Sequence, residues 1–488
     1  MSCESGDPMG TVVLDDVHEP SQRSEDRMKT IPPAERPPRS LVQMTAMAMT
    51  LCLLPGCSSP PAAHNLSGPP PTAFPLASVD PNGSESSVDP AGVLSLRDVL
   101  SLTLLHNPEL ASFSWQIRAS EAVALQEGLS PNPELEAEIE NFAGSDTLGG
   151  FDEAESTISI SQLIELGGKK ALRVRVAQLG TGLAAWEYQS QRLEVLTRAS
   201  MHFIDVLAGQ RQVELKSASL DLALEMMNGV SARIEAGKSS PLERTRAQVV
   251  VAQGRISLEQ AKRSLESSRV LLASCWGKEV AQFPAVRGSL EQIHEVPEFD
   301  LLTSSLDENP TVSRWDLEIS ERRARIDLAA AEAVPDVTVS GGARLFQGTD
   351  ETALLVGVSL PIPVFHRNQG LRREAEYNLS IATEKQRAVR VQLFANLHDS
   401  YQQLLSAYRE VTALRDEVIP AAKSAYDGVQ ESYRQGKLAQ LDVLDSQKTL
   451  FEVRDQYTRA LTDYHRARSQ VEGLLGKPIS ELKKGGSR

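Results

Sequence analysis

The sequence has few aromatic residues, few cysteines and no excess of positive charge. Aromatic side chains make up 5% of its 488 residues, a low share for a chain that buries one large compact core. The formal net charge is −15 and no basic cluster with interleaved aromatic residues occurs, so no nucleic-acid partner is expected. The four cysteines are too few and too scattered for a disulfide framework or a zinc site; they are Cys3, Cys52, Cys57 and Cys275.

The sequence also lacks the motifs of catalysis. It contains no nucleophile elbow, no P-loop and no histidine and glutamate residues at metal-ligand spacing. We therefore expect no enzyme activity, no cofactor and no resident metal. His366 and His398 are isolated and are interpreted as solvated side chains, whereas Cys275, beside Trp276, is interpreted as a packing residue.

The first 56 residues predict an N-terminal extension followed by a lipoprotein signal peptide. Residues 1–27 are polar, and basic residues then precede an apolar run from Leu41 to Leu54. That run is too short to cross a bilayer as a helix, which needs about 20 residues, and it is typical of a signal peptide. It leads into a Leu-Pro-Gly-Cys motif that resembles a bacterial lipobox and predicts Cys57 as the lipidated first residue of the mature chain. The alternative is an unrelated cysteine after an ordinary signal peptide.

Residues 57–90 are predicted to be a lipidated, extended linker. They are rich in proline, serine, glycine and alanine, a composition typical of tethers. Ser58, rather than aspartate, follows the cysteine. By resemblance to other lipoproteins, this favours the outer membrane as the location of the anchor.

The rest of the chain is predicted to be a tandem duplication. After Gly436-Lys437 apolar residues recur every seven positions, as in the seam of a left-handed coiled coil. The same pattern follows Gly237-Lys238, about 200 residues earlier. The second seam comprises Val443, Leu450, Tyr457, Tyr464 and Val471, and its counterparts are Val251, Leu258, Leu265 and Leu272. We predict a first repeat over residues 91–290, a second over 291–477 and a polar tail over 478–488.

Each repeat is predicted to contain two β-strands. Apolar and polar residues alternate around 135–139 and 157–161 in the first repeat, and from 337 to 362 in the second. Strands of about ten residues suit a tilted crossing of a bilayer. Four strands cannot close a barrel, which needs about eight, and lipid does not tolerate open sheet edges. Several chains would then share one barrel, and three would supply twelve strands. The alternative is a small soluble sheet packed on a helix.

Long helices are predicted after each pair of strands. One is expected from about Lys169 to Ala236 and the other from about Asn368 to Gln435, and each returns after its Gly-Lys turn. Charged residues recur every few positions, so these helices are too polar to cross a membrane. They are also too long to fold around one globular core, and we expect them to pack along one another as a coiled-coil wall.

This duplicated pattern, over about residues 91–477, resembles the TolC-like outer membrane factors. The resemblance implies a mixed membrane α/β-barrel that closes as a trimer, with a 12-stranded β-barrel in the outer membrane and an α-helical tunnel in the periplasm. Two strand-to-helix segments are similar to those of the CzcC-type heavy-metal efflux branch, at 160–170 and 358–370. Glycine and proline in these segments let the chain change direction.

The function that this resemblance implies is a passive exit duct. It would couple to an inner-membrane pump of the resistance-nodulation-division type through a periplasmic adaptor, with heavy-metal cations as the favoured substrates. An alternative within the same fold is a duct for drugs, solvents or type I secretion. An alternative of another class is a periplasmic coiled-coil scaffold without a pore.

Candidate gate residues lie at the start of the returning helices. Asp442 and Asp445 match the paired aspartates that line the periplasmic entrance in TolC-like channels, and Glu243 and Arg246 stand at the aligned positions of the first repeat. Two carboxylates three positions apart share one helix face, and trimer symmetry would repeat that face around a narrow opening. Arg246 suggests that arginine–carboxylate pairs help to close it. The alternative is that the aspartates are ordinary acids at a helix N-terminus.

The lipobox can be tested directly. We expect Cys57→Ser to leave the precursor uncleaved or mislocalised, because the thiol that accepts the lipid is lost. Mass spectrometry of the mature N-terminus is the measurement, with Cys275→Ser as a control that leaves lipidation unchanged. An unmodified mature N-terminus at any other residue would contradict the lipobox.

Overall fold

The computed structural model describes residues 92–237 and 240–482. Cys57, the signal peptide and the linker to residue 90 lie outside the described residues, as do Lys238 and the end of the tail.

The first repeat follows the predicted order of helix, strands and helical hairpin. Its elements are α1 (Leu96–His106), α2 (Pro108–Glu127), β1 (Glu134–Glu140), β2 (Glu155–Ile164), α3 (Lys169–Glu235) and α4 (Pro241–Ser274). The 67 residues of α3 give a helix about 100 Å long at 1.5 Å per residue. Both the long helix and its return in α4 are confirmed.

The second repeat has the same order with more interruptions. Its elements are α5 (Phe299–Thr303), a 3₁₀ turn (Leu306–Glu308), α6 (Pro310–Ala331), β3 (Val337–Phe346), β4 (Glu351–Ser359), α7 (Gln369–Ala413), a π-turn (Leu414–Val418), α8 (Ile419–Arg434), α9 (Gln440–Leu475) and α10 (Ile479–Leu482). The segment expected to be a polar tail therefore begins with a short helix, and its Ile479 is buried.

The two Asn-Pro pairs start helices in the same way in both repeats. Asn107 and Asn309 are the N-caps of α2 and α6, and in each case the following proline takes the first helical turn, where its missing N–H is not needed. The side-chain amide of Asn107 also donates to the carbonyl of Cys275 over 2.8 Å, and that of Asn309 donates to Leu474 over 2.7 Å. Each pair thus ties the start of one helix to the end of the returning helix of its own repeat.

The predicted long helix from about Asn368 to Gln435 is confirmed over residues 369–434. It contains a π-helical turn, Leu414–Val418, that was not predicted and that ends two residues before Pro420. Proline has no N–H to donate to the carbonyl four residues back, and its ring crowds that carbonyl. An α-helical turn cannot close there, and the wider π-turn takes its place.

The four long strands form one antiparallel sheet in the order β1-β2-β3-β4. Cross-strand partners place apolar residues of all four strands on one face, since Ile158 stands opposite both Ala137 and Ala343, and Val339 stands opposite Val358. The face is exposed, with Leu354 and Val356 both at 86%. The opposite face carries the glutamates of β1, which are Glu134, Glu136, Glu138 and Glu140.

One strand is shorter than predicted, and another ends earlier in the sequence. β1 has seven residues rather than about ten. β4 ends at Ser359, although the alternation continues to Ile362 in the sequence. Pro361 and Pro363 follow, and a residue without an N–H cannot donate to a sheet ladder.

The seven-residue seam of the second repeat is the centre of the helical packing. All five predicted seam residues of α9 are buried, from Val443 to Val471. In the first repeat Val251 and Leu272 are buried, whereas Leu258 and Leu265 are half-buried. Among the helices of the described residues, none is both long and apolar enough to cross a membrane.

Which face of β4 contacts lipid can be tested by introducing one charged residue on either face. If the apolar face contacts lipid, Val356→Arg should impair assembly, because arginine near the middle of a bilayer costs about 2–4 kcal/mol. Ser359→Arg, on the opposite face of the same strand, should assemble normally. The measurement is the yield of heat-resistant oligomer in outer membranes, and equal yields for the two variants would reject this assignment of faces.

Candidate functional site

The candidate site lies at the tips of the two helical hairpins. In the second repeat Gly436, at φ 76°, ends α8 in the left-handed conformation that glycine adopts without strain. Gly237, at φ 73°, has the same conformation after α3. The matching glycines that defined the duplication therefore form matching turns, and α4 and α9 begin a few residues later.

Asp442 caps the start of α9. One of its carboxylate oxygens accepts the backbone N–H of Ala439 over 2.9 Å, which satisfies a donor that the first helical turn leaves without a partner. Asp445 lies one turn further along the helix. Both carboxylates are exposed and line a groove of about 360 Å³ between α8 and α9. Asp442 and Asp445 therefore face one groove, and Asp442 also stabilises the start of α9 through its hydrogen bond to Ala439.

Arg246 lies across a second groove from Asp445. This groove has a volume of about 730 Å³, lies between the α3–α4 hairpin and α9, and is lined by both residues. Glu243 stands in the first turn of α4 and lines neither groove. In the described part of one chain, no ion pair joins Arg246 to Asp442, Asp445 or Glu243. The arginine–carboxylate pairs expected at the entrance therefore do not form within a single chain.

A cation–π contact that the sequence did not reveal joins the two hairpin tips. The guanidinium of Arg233, near the end of α3, lies 4.8 Å from the ring centroid of Tyr433, near the end of α8. Such contacts contribute about 0.5–1 kcal/mol at exposed sites. Each residue precedes the glycine of its hairpin by about one helical turn. These similar positions in the two repeats could have suggested that the two side chains lie close together.

A polar cluster centred on Asp455 was also missed. Asp455 is buried in α9, and its carboxylate accepts hydrogen bonds from Gln212 and Lys216 of α3 and from Arg459 of its own helix, with 3.0 Å to the Lys216 Nζ. Burial alone would raise the pKa of Asp455, but the three donors outweigh it and hold that pKa below its usual value. The aligned residue of the first repeat is Ile256. An acid at a position where the other repeat has an apolar residue could have suggested a polar contact here.

The junction between sheet and helices is held by ion pairs. Lys169 at the start of α3 is buried and lies 2.7 Å from Asp336, which also accepts the backbone N–H of Leu166 over 2.9 Å. Arg173 donates to both oxygens of Glu165 over 2.6 and 2.9 Å, and this hydrogen bonding lowers the pKa of Glu165. These pairs connect the end of β2 to the start of β3, so they fix the direction in which α3 leaves the sheet.

In the described ranges, no group of three or more His, Cys, Asp or Glu residues could hold a metal ion. Cys275 is buried, and desolvation raises the pKa of its thiol to about 11. A thiol of that pKa stays protonated at neutral pH, which agrees with the packing role predicted for it.

Comparison with known proteins shows which family this chain resembles. The family model for outer membrane efflux proteins matches residues 99–278 and 301–477, within the two predicted repeats. The cobalt-zinc-cadmium resistance protein CzcC of Cupriavidus metallidurans is 31% identical over 407 residues, which cover 83% of this chain and 96% of CzcC. The nickel-cobalt-cadmium resistance protein NccC of Alcaligenes xylosoxydans xylosoxydans is 24% identical, over 63% of this chain and 69% of its own.

A solved structure agrees with the architecture. The crystal structure of CusC, which forms a transmembrane channel, matches with a TM-score of 0.66 at 15% identity, over 78% of this chain and 92% of that chain. At this identity the likeness shows a shared fold. The architecture of strands, long helices and returning hairpins is therefore one that a channel protein adopts.

Proposed function

The chain belongs to the outer membrane efflux protein family, and from this we propose that it is the exit duct of a tripartite system that exports heavy-metal cations. The observation that supports heavy-metal cations as the substrates is the 31% identity to a cobalt-zinc-cadmium resistance protein. The match covers 96% of that protein. The duct does not drive transport itself. A resistance-nodulation-division pump in the inner membrane supplies the energy, and a periplasmic adaptor joins the pump to the duct.

Three copies of the chain form the duct. Support comes from the sheet, whose outer strands β1 and β4 each have one edge without a strand partner among the described residues. An open edge in lipid leaves backbone groups unsatisfied, at a cost of several kcal/mol each. If β4 of one chain pairs with β1 of the next, three chains close a barrel of twelve strands. The apolar face of each strand would then contact outer membrane lipid.

A carboxylate-lined lumen favours cations. The polar face of the sheet carries the four glutamates of β1, and Arg344 forms ion pairs of 3.0 Å with Glu140 and 2.7 Å with Glu155. No arginine or lysine partner is present for Glu134, Glu136 or Glu138 in the described ion pairs. Repeated three times around one lumen, this excess of negative charge raises the local cation concentration.

Asp442 and Asp445 form the periplasmic entrance in this proposal. Both are exposed at the tip of the second hairpin, where three symmetry-related copies would bring six carboxylates around the axis. Glu243 and Arg246 stand on the neighbouring hairpin, and Arg246 is available to pair with a carboxylate of another copy.

Neither alternative function has comparable support. A drug, solvent or secretion duct would use the same fold. The sequence identity to metal-resistance proteins is what favours metal export over these alternatives. A scaffold without a pore does not agree with membership of an efflux family. We therefore keep metal export as the proposal.

Metal tolerance tests the substrate class. Deletion of the gene from its host should lower the concentrations of Zn²⁺, Co²⁺ and Cd²⁺ that stop growth, because the cations would lose their exit, and the intact gene should restore them. Hydrophobic antibiotics serve as the control and should inhibit both strains equally. Unchanged metal tolerance with increased antibiotic sensitivity would favour the drug duct instead.

Channel selectivity tests the entrance. In planar bilayers the double variant Asp442→Asn with Asp445→Asn should reduce the preference for cations over anions. The reason is that six negative charges around the axis of the proposed entrance would be removed. Asparagine is chosen because its amide oxygen can still accept the Ala439 N–H that the Asp442 carboxylate accepts, so the fold of α9 is kept. Asp463→Asn is the control, since it neutralises an exposed acid of the same helix about 27 Å away. If the double variant and the control both match the parent in selectivity and multivalent-cation block, the gate is not formed by these aspartates.

A further inference from the structure

The chain passes from strand to long helix differently in the two repeats. Residues 165–168 alone separate β2 from α3, whereas residues 360–368 separate β4 from α7. The shorter junction exposes one apolar side chain, that of Leu166, at 38%. The longer junction, which we call the β4–α7 segment, exposes Leu360, Ile362, Val364 and Phe365. The first repeat therefore serves as an internal reference for the surface that this segment adds.

Two side chains of the β4–α7 segment are almost fully exposed. Phe365 is 89% exposed and Ile362 is 80% exposed. No other large apolar side chain among the described residues is more exposed than Phe365. Contiguous apolar surface of this kind marks a site that contacts a membrane or another molecule.

Hydrogen bonds hold the end of the β4–α7 segment in one shape. The side chain of Gln369 accepts the N–H of Arg367 over 2.8 Å and donates to the carbonyl of Phe365 over 3.2 Å. Asn368 is buried and donates to the Ala329 carbonyl of α6 over 2.7 Å. The exposure of Phe365 is therefore a property of an ordered turn that is fastened to the helices.

The β4–α7 segment continues the apolar face of the sheet. Val356 and Val358 stand on that face, and Leu360 and Ile362 follow at the same two-residue spacing. Side chains on a face stand roughly perpendicular to the sheet, whereas a second chain that pairs with β4 lies at the edge of the strand. The perpendicular direction is the one in which the proposed barrel meets lipid. The segment therefore extends the lipid-facing surface toward the periplasm.

Two arginines lie just beyond these apolar residues. Arg367 and Arg373 are exposed, and neither forms an ion pair with a carboxylate in the described part of the chain. The Nε of Arg367 donates to the Pro363 carbonyl over 3.2 Å, which leaves its two terminal nitrogens for other partners. At the first junction, by contrast, Arg173 pairs with Glu165 over 2.6 Å. Only the second junction combines exposed apolar residues with cations that lack a carboxylate.

From these observations we propose that the β4–α7 segment binds an anionic phospholipid at the periplasmic surface of the outer membrane. The acyl chains contact Ile362 and Phe365, and the phosphate contacts Arg367 and Arg373. The order of these groups matches that of a lipid leaflet, because the apolar residues adjoin the barrel and the arginines follow toward the periplasm. Basic residues next to a membrane attract anionic headgroups, and long basic side chains reach the headgroups while their stems stay in apolar surroundings.

A lipid bound here would set the depth of the chain in the membrane. Asn368 ties the end of the β4–α7 segment to α6, and α7 begins at the next residue. The level of the bound phosphate therefore fixes the level at which the helices leave the membrane. The inference rests on the placement of the sheet in the outer membrane, and it does not depend on which substrate the duct exports.

The apolar contact is tested with a nitroxide spin label on Phe365→Cys. The full-length protein is reconstituted in bilayers of phosphatidylglycerol and phosphatidylcholine. A label among acyl chains is reached by dissolved oxygen and shielded from a water-soluble nickel chelate. We expect the two accessibilities at Phe365→Cys to match those at Val358→Cys, which stands on the apolar face of β4. The parent protein, treated with the same label, gives the background of the native cysteines.

The same measurement distinguishes the other possible occupants. A label shielded from both reagents would show that a second copy of the chain covers the segment, and a label reached mainly by the nickel chelate would show that water does. Either result at Phe365→Cys would overturn the proposal. If Val358→Cys were also reached mainly by the chelate, the placement of the sheet in lipid would be overturned together with it.

The headgroup contact is tested with Arg367→Gln combined with Arg373→Gln. In native mass spectrometry of the full-length oligomer, the parent should retain about tenfold more phosphatidylglycerol than phosphatidylcholine from an equal mixture, because only the first lipid has a net negative charge. The double variant should lose most of this preference. Lys385→Gln with Arg387→Gln is the matched control, since it removes the same charge from exposed positions about 20 Å further along α7.

Three results of this experiment would overturn the proposal. The first is a parent that retains the two lipids equally, and the second is a loss of preference in both double variants alike. The third is displacement of the retained lipid by excess inorganic phosphate, which has no acyl chain and would reveal a site for free phosphate. We expect phosphate to leave the retained lipid in place, because Ile362 and Phe365 hold its acyl chains.

Discussion

The seven-residue seam of α9 is the contact on which the rest of the structure depends. Its five residues from Val443 to Val471 are buried, and they join α9 to α3 of the first repeat as well as to α7 and α8 of its own. Without this contact the long hairpins would each expose an apolar stripe to water, even though β2 and β3 would still join the two repeats through the sheet. Long helices of this composition gain little stability from propensity alone and depend on packing along an apolar face. The seam therefore holds the hairpin tips in register and places the candidate gate residues beside each other.

The sheet has the opposite requirement, because the described part of one chain does not satisfy all of its groups. Its apolar face is exposed, and its two outer edges have no strand partner among the described residues. The helical part buries its seam internally, whereas the sheet exposes apolar surface and backbone groups. The junction pairs Lys169–Asp336 and Arg173–Glu165 fix the direction between the two parts. The proposed assembly of three chains would satisfy the outer strands of the sheet.

Much of this architecture could be predicted from the sequence because it follows from short-range patterns. Period-two alternation located the strands and assigned their faces, and the seven-residue period located the seam. The glycine turns followed from residues that favour a positive φ. Pro420 could have predicted the π-turn in the second long helix, because a proline in the interior of a helix removes a backbone hydrogen bond. Its effect was missed because the seven-residue pattern continued beyond it.

The rest of the candidate site could not be predicted, because it depends on residues far apart in the chain. Asp455 meets Gln212 and Lys216 only once α9 has packed against α3, and Arg233 meets Tyr433 only once the two tips are level. The apolar pattern sets which faces touch, but not which polar side chains meet across them.

The duplication allows the two hairpins to differ locally while their topology stays the same. Asp455 stands where the first repeat has Ile256, and Pro420 stands where it has Asp221. The first difference adds a polar contact between α9 and α3. The second accompanies the π-turn Leu414–Val418, which the continuous helix α3 lacks. Because both differences lie on the hairpin that carries Asp442 and Asp445, the two repeats share one architecture but present different polar contacts beside the candidate gate residues.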